Sequence, residues 1–230
     1  MRTAAIIPAY NEEKSISKVI KSLPQDLITE VIVVNNNSTD RTAEIAQNEG
    51  ATVLFESFQG YGASCLNGIE YCNAKGYEII LFIDGDFSDY PEEAEKLITP
   101  ILKNGYDFVL GSRRLGKREK GALPIQSQIG SIIAGILINF FWKFKYTDLG
   151  PFRAIKVSSL NDMNMQDKWY GWTVEMQIKA AGAKLRILEV PVSYRVRIGK
   201  SKVTGTIKGT VMASVIILST IFKYALRKKF

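Results

Sequence analysis

The chain has 230 residues, of which 46% are hydrophobic, and this composition suits one folded domain with a sizeable core rather than a disordered protein. It carries a net charge of +7 and contains no histidine, which excludes histidine as a general base or a metal ligand. Any metal site must therefore be built mainly from oxygen ligands, which suit Mg²⁺ or Mn²⁺. Cys65 and Cys72 match no metal-binding spacing, and we expect two buried thiols.

The first half of the chain alternates between continuous apolar runs and amphipathic helical segments. The pattern predicts strands at TAAIIPAY, EVIVVNN, ATVLFE, YEIILFID and DFVLGS, and helices at Glu12–Leu23, Thr39–Glu49, Ala63–Lys75 and Pro91–Asn104. Apolar strands that alternate with helices indicate a mostly parallel sheet with helices on both faces. The sequence therefore predicts an α/β fold.

Polar residues follow three of these predicted strands directly. They are Tyr10-Asn11-Glu12, Asn35-Asn36-Asn37 and Asp84-Gly85-Asp86. In open α/β sheets, ligands bind beyond the carboxyl ends of the strands. We therefore expect the three groups to converge on one crevice.

The D-G-D stretch after the fourth strand is the sharpest chemical signal. Side chains two residues apart on a strand share a face, so that Asp84 and Asp86 point together if the strand persists. Two close carboxylates favour a bound cation, and Mg²⁺ is usually held by one or two carboxylates plus substrate phosphates. The alternative is an acidic turn before the helix at Pro91, but we expect Asp89 to cap that helix, which leaves the other two aspartates for a metal.

The second half is less regular. It contains two apolar runs, Ile129–Trp142 and Val211–Phe222, both shorter than the roughly 20 residues that span a bilayer, and a late strand at LRILEVPVSYRV. We place a boundary near Thr204, between a main domain (1–204) and a basic, amphipathic C-terminal helix (205–230). Each run is flanked by lysines and is predicted to lie in a membrane interface, although the first run also suits a packed core helix.

Seven motifs occur in the order found in family 2 glycosyltransferases of the GT-A fold. They are P-A-Y-N-E at 8–12, N-N-N-S-T-D at 35–40, D-G-D at 84–86, G-S-R at 111–113, D-L-G-P-F-R-A-I at 148–155, G-W-T-V-E-M-Q at 171–177 and R-V-R-I-G-K-S-K at 195–202. The last three resemble the branch that makes dolichyl- and polyprenyl-phosphate sugars. The resemblance implies a Rossmann-like GT-A fold and an inverting, metal-dependent hexosyltransferase.

The resemblance also implies a role for particular residues on the donor side. Pro8, Tyr10, Glu12, Asn35 and Asp84 would bind the nucleotide of a UDP- or GDP-linked sugar, and Asp84 and Asp86 would hold Mg²⁺ or Mn²⁺. The family usually has aspartate at position 35. Asparagine offers only its carbonyl oxygen as an acceptor, which favours uridine slightly over guanosine.

On the acceptor side, the resemblance implies two groups of residues. The catalytic group is Asp86, Asp148, Arg153 and Glu175, and the group for phosphate or acceptor is Arg113, Arg195, Arg197, Ser201 and Lys202. Two alternatives remain: a buried Asp148–Arg153 ion pair without chemistry, and plain surface charge for the basic cluster from Arg113 to Lys120. Glu175 would contact sugar hydroxyls or belong to a core network.

The implied acceptor is a lipid phosphate, whose oxygen is already ionised and needs no strong general base. A hydroxyl acceptor would need one, and Asp148 or Glu175 would be the candidates. The apolar run at the N-terminus is too short for a signal peptide. We expect a protein peripheral to the inner face of the membrane in the cytoplasm, with no nucleic-acid partner, because the basic clusters adjoin glycines and family motifs rather than exposed aromatic residues. The sequence predicts no oligomeric state.

Overall fold

The computed structural model describes residues 1–199 and 207–227. Within them, seven strands form one sheet in the order β3-β2-β1-β4-β6-β5-β7. The strands are β1 (Thr3–Ala9), β2 (Glu30–Asn35), β3 (Thr52–Phe55), β4 (Ile79–Phe82), β5 (Phe108–Ser112), β6 (Arg153–Lys156) and β7 (Ile187–Pro191). The helices are α1 (Ile16–Ser22), α2 (Thr42–Asn48), α3 (Tyr61–Lys75), α4 (Ala94–Asn104), α5 (Ile125–Trp142), α6 (Val157–Met163), α7 (Trp172–Gly182) and α8 (Ile207–Arg227), with a 3₁₀ turn (Pro91–Glu93) before α4.

The sheet separates two apolar cores, because successive side chains on a strand point to opposite faces. In β1, Ala4 and Ile6 face a core that includes residues of α3, α5, α7 and α8. Ala5 and Ile7 face a second core that is closed by α1 and α4. Both faces of the sheet are covered, which confirms the predicted α/β class and explains why the strands read as unbroken apolar runs.

The predicted mostly parallel sheet is confirmed, with one departure in its middle. β6 lies between β4 and β5 and runs antiparallel to both. Sequence reasoning predicted no strand there, because β6 has only four residues and begins with an arginine. The reversal pairs Arg153 with Phe82, and so brings the D-L-G-P-F-R stretch next to the end of β4 that precedes Asp84.

The two apolar runs form long helices that pack on each other, since α8 lies against α5 and α7. Of the described residues, only those of α5 form a helix that is long and apolar enough to cross a membrane, on length and composition alone. The inner side of α5 is packed through Ala134 and Ile138, while its outer side exposes Ile136 and Phe140. The inner side of this run is therefore the predicted core helix, while its predicted location in a membrane interface stays a prediction. Thr204, the predicted boundary, lies outside the described residues.

Candidate active site

The three polar strand ends meet at one cavity of about 400 Å³, as predicted. We call it the first cavity. Residues at the end of β1 and after β1, β2 and β4 line it, together with the start of α3, a segment before α7, and Arg197. The lining residues include Pro8, Tyr10, Glu12, Asn36, Gly60, Tyr61, Asp84, Asp86, Trp169, Tyr170 and Arg197.

An arginine bridges two carboxylates across this cavity. Arg197 Nη1 lies 3.1 Å from Asp86 Oδ2, and its Nη2 lies 3.2 Å from Glu12 Oε1. The other oxygen of Asp86 accepts hydrogen bonds from the backbone N–H and the hydroxyl of Ser88, at 2.9 and 2.5 Å. Asp86 is thus held in one orientation with a positive charge already beside it.

Asp84 is in a different state. Its Oδ1 is enclosed and has no hydrogen-bond partner among the described residues. Burial, reinforced by the charge of Asp86, raises the pKa of Asp84 to about 7. Without a cation, the ionised form of this carboxylate is destabilised in the protein. A bound cation would stabilise the ionised form.

The two aspartates therefore fit a divalent cation. Within residues 1–199 and 207–227, no three acidic or cysteine side chains gather closely enough to hold a metal by themselves. A pair of carboxylates, one of them with an unpartnered oxygen, suits an ion whose remaining ligands are water and phosphate oxygens.

A second cavity, of about 240 Å³, meets the first. Tyr61, Asp84 and Tyr170 line both cavities. The other walls of the second cavity are mostly apolar or small and come largely from α5 and α8. They include Arg113, Gln126, Ser127, Gly130, Ser131, Leu149, Pro151, Thr173, Ala213, Ser214 and Ile217. Asp84 thus lies where the cavity that contains Glu12, Asp86 and Arg197 joins a more apolar cavity.

Arg113 and Asp148 form a buried, bidentate ion pair in the wall of the second cavity. Arg113 Nε donates to Asp148 Oδ2 at 2.7 Å, and its Nη2 donates to Oδ1 at 2.8 Å. Burial favours a higher pKa for Asp148, but the charge and hydrogen bonds of Arg113 outweigh burial and hold that pKa below its usual range. The alternative of an Asp148–Arg153 pair is wrong, because Asp148 pairs with Arg113.

Arg153 is completely buried and lines neither cavity among the residues described for them. Its guanidinium donates to the backbone carbonyls of Thr173 and Gly150. No carboxylate of the described residues lies within ion-pair distance of it, and burial lowers its pKa. Arg153 thus connects β6 to the start of α7. A phosphate could reach its guanidinium only if the packing around it opened. The structure therefore contradicts the predicted phosphate contact.

Glu175 is also fully buried, in α7, and its carboxylate is completely engaged. It accepts the backbone N–H groups of Gln166 and Asp167, pairs with Lys179 Nζ at 2.8 Å, and accepts the hydroxyl of Tyr224 from α8. Of its two predicted roles, the core network is confirmed, and Glu175 lines neither cavity among the residues described for them.

Three further polar residues do not make the contacts predicted for them. The guanidinium of Arg195 lies between the rings of Phe87 and Tyr90, 3.8 and 3.7 Å from their centroids, and it lines neither cavity. Asn35 Oδ1 accepts the N–H of Ser38 at 3.0 Å, and the neighbouring Asn36 lines the cavity instead. Asp89 does not cap the 3₁₀ turn.

Asp89 is buried, and neither of its carboxylate oxygens has a hydrogen-bond partner among the described residues. Burial raises its pKa well above the usual value. The remaining predicted phosphate ligands, Ser201 and Lys202, lie outside the described residues.

Sequence reasoning missed the wall formed by Trp169 and Tyr170. Their segment packs so closely on the start of α3 that a Cβ at Gly60 would lie 2.2 Å from the carbonyl oxygen of Lys168, and one at Gly62 would lie 2.1 Å from that of Asp167. The two glycines in G-Y-G were the available signal, since a close backbone approach requires glycine.

Comparisons with known proteins identify the family of this chain. The model of the family described as glycosyl transferase family 2 matches residues 4–163. A Mycobacterium tuberculosis protein, described as an uncharacterized glycosyltransferase, is 32% identical over 90% of this chain and 92% of its own. An undecaprenyl-phosphate mannosyltransferase from Micrococcus luteus is 28% identical over 94% of this chain and 93% of its own.

Among solved structures, glucosyl-3-phosphoglycerate synthase from M. tuberculosis, in complex with Mn²⁺, UDP and phosphoglyceric acid, superposes with a TM-score of 0.75. It is 21% identical, and the match covers 97% of this chain and 78% of that one. This likeness confirms the predicted GT-A fold. The chain belongs to glycosyl transferase family 2 and is a glycosyltransferase.

Proposed function

We propose that the protein transfers a hexose from a nucleoside-diphosphate sugar to a polyprenyl phosphate. One observation carries the proposal: a cavity lined by two aspartates, a glutamate and an arginine joins a more apolar cavity at Asp84, Tyr61 and Tyr170. A donor in the first cavity and a lipid phosphate in the second would place their reacting atoms at that junction.

The donor side is assigned from the charges in the first cavity. Asp84 and Asp86 would hold Mg²⁺ or Mn²⁺, which supplies positive charge against the pyrophosphate as it leaves. Arg197, placed between Asp86 and Glu12, would turn from these carboxylates to a phosphate oxygen once the cation arrives. Pro8, Tyr10, Glu12 and Asn36 line the part of the cavity left for the nucleoside. UDP in the solved relative supports a uridine donor.

The acceptor side is assigned from the second cavity. Its walls come largely from α5 and α8, which expose apolar side chains on their other faces. Arg113, which is paired with Asp148, is the cation among the described lining residues and would also attract an anionic head group. The relative from M. luteus, named for undecaprenyl phosphate, supports this acceptor class.

The chemistry then needs no general base. A phosphate oxygen attacks the anomeric carbon, the bond from that carbon to the donor pyrophosphate oxygen breaks, and the nucleoside diphosphate leaves with inversion. Asp148 and Glu175, the candidate bases for a hydroxyl acceptor, are both held by cations, Arg113 and Lys179. A nucleophile that is already ionised is consistent with their engagement.

We further infer that α5 and α8 place the protein on the inner face of the cytoplasmic membrane. The apolar residues exposed on the two helices form what we call the apolar surface: Ile125, Ile129, Ile132, Ile133, Ile136, Phe140, Phe141, Val211, Met212, Val215, Phe222 and Leu226. Phe141 and Phe222 join the helices edge to face, with ring centroids 6.2 Å apart. Exposed Lys143 and Lys145 follow α5, exposed Lys223 and Arg227 lie near the end of α8, and all four would contact anionic head groups.

The test is transfer from labelled UDP-glucose or GDP-mannose, with Mn²⁺, to undecaprenyl phosphate in detergent, compared with 3-phosphoglycerate and with lipid alcohol lacking the phosphate. We expect a labelled lipid only with the lipid phosphate. Label on the alcohol or on phosphoglycerate would replace the proposed acceptor. The Asp86→Ala variant should keep its melting temperature within a few degrees and lose at least roughly a hundredfold in turnover, as expected when charge stabilisation at the leaving group is removed. Unchanged turnover would reject the metal assignment.

A further inference from the structure

We propose that the C-terminal helix α8 holds one wall of the first cavity in place through Tyr224 and Glu175. The wall is the segment 164–171, which carries Trp169 and Tyr170 into the cavity. The inference rests on the proposed function only in taking the first cavity as the donor site. Tyr224 and Glu175 act as positioning residues, because neither lines that cavity among the residues described for it.

The contacts of Glu175 form the centre of this arrangement. Its carboxylate accepts the N–H groups of Gln166 at 3.0 Å and Asp167 at 2.7 Å. It also accepts the hydroxyl of Tyr224, which lies about fifty residues further along the chain, in α8. One buried side chain therefore connects the segment and the helix directly.

The far side of the segment is attached to the cavity itself. The carbonyls of Lys168 and Trp169 accept the N–H groups of Ala63 and Gly62, at 3.0 and 3.2 Å, at the start of α3. Trp169 packs edge to face on Phe58, with ring centroids 5.0 Å apart. The segment thus spans from Glu175 to the cavity, and an outward shift at Glu175 would move Trp169 and Tyr170.

A second contact makes α8 part of the same wall. A Cβ at Gly171 would lie 2.8 Å from Thr220 Oγ1 of α8 and 2.4 Å from Asp167 Oδ2. The helix therefore packs against the end of the segment without room for a side chain. α8 also carries part of the apolar surface. A change in the position of this helix would therefore change the position of the wall at the donor site.

The variant that tests the proposal is Tyr224→Phe, which removes the hydroxyl and keeps the ring. The matched control is Tyr71→Phe, because Tyr71 of α3 also donates its hydroxyl to a glutamate, Glu30 of β2, at 3.0 Å, and this pair includes no residue of α8 or of the segment 164–171. Amide hydrogen exchange, measured by mass spectrometry without ligand, reports on the segment 164–171 directly.

We expect exchange in 164–171 to accelerate severalfold in Tyr224→Phe and to stay at the wild-type rate in Tyr71→Phe. The affinity for UDP with Mn²⁺, measured by calorimetry, should fall about fivefold in Tyr224→Phe only, at the low end of coupling between sites. Equal exchange in the wild type and Tyr224→Phe would overturn the proposal, as would faster exchange with an unchanged nucleotide affinity. A wild-type protein that binds neither UDP nor GDP would refute the donor site, while the exchange result alone would still decide whether α8 holds the segment.

Discussion

Replacing Asp84 with asparagine should stabilise the metal-free protein at neutral pH while removing its response to metal. The enclosed carboxylate, beside the charge of Asp86, has a pKa of about 7 in the folded protein against 3.8 for an ordinary aspartate. Between these values the folded state binds the proton and the unfolded state does not. The free energy of unfolding of the wild type therefore falls as pH rises through this window.

The magnitude follows from the shift. Each pKa unit corresponds to about 1.4 kcal/mol, so that a rise from 3.8 to about 7 costs the ionised form up to about 4 kcal/mol. Part of Asp84 faces the cavities that it lines, and water there screens the charge, which makes this figure an upper bound. We expect Asp84→Asn to exceed the wild type by about 1–4 kcal/mol at pH 8 and to approach it near pH 4.

The assay is urea unfolding at half-unit steps from pH 4 to pH 8, with a chelator present and again with Mn²⁺. Only the wild type should gain stability from Mn²⁺, and its pH slope should flatten when the cation is present. A raised pKa of Asp84 is refuted if Asp84→Asn shows the same pH slope as the wild type without metal, or if it is the less stable protein at pH 8.

Three further substitutions test other parts of the site. Gly62→Ala should displace the wall of the first cavity, because its Cβ would lie 2.1 Å from a carbonyl oxygen, and should weaken UDP binding in calorimetry; Gly130→Ala, whose Cβ meets nothing within 4 Å, should leave UDP binding unchanged. Arg113→Ala leaves a buried aspartate without its cation and should lower the free energy of unfolding by about 3–5 kcal/mol in urea titrations; a loss below about 1 kcal/mol would mean that the pair is effectively solvated. Phe140→Glu should reduce sedimentation with anionic vesicles, and Phe55→Glu, at a residue of similar exposure on β3, should not; equal loss in both would remove the apolar surface from the binding model.

The local sequence determined the framework of the site. Continuous apolar runs separated by helices specified a covered sheet, because burial on both faces requires side chains that are apolar at every position. Because Tyr10, Asn36 and Asp84 directly follow three of these runs in the chain, they lie at the carboxyl ends of neighbouring strands. The first cavity lies at these strand ends. The two aspartates that follow β4 both line the first cavity, although β4 ends at Phe82 and the strand alternation expected to align them does not reach them.

The partners of the charged residues were decided only by the tertiary structure. Arg153 follows Asp148 closely in the chain, yet the antiparallel entry of β6 turns it into the sheet, and Asp148 pairs instead with Arg113, 35 residues away. The sequence predicted Glu175 as a catalytic carboxylate, whereas in the structure α8 and the segment 164–171 both donate hydrogen bonds to it. An apolar pattern records only whether a side chain is buried, whereas a charge is satisfied by whichever partners the packing of distant elements brings within hydrogen-bond reach.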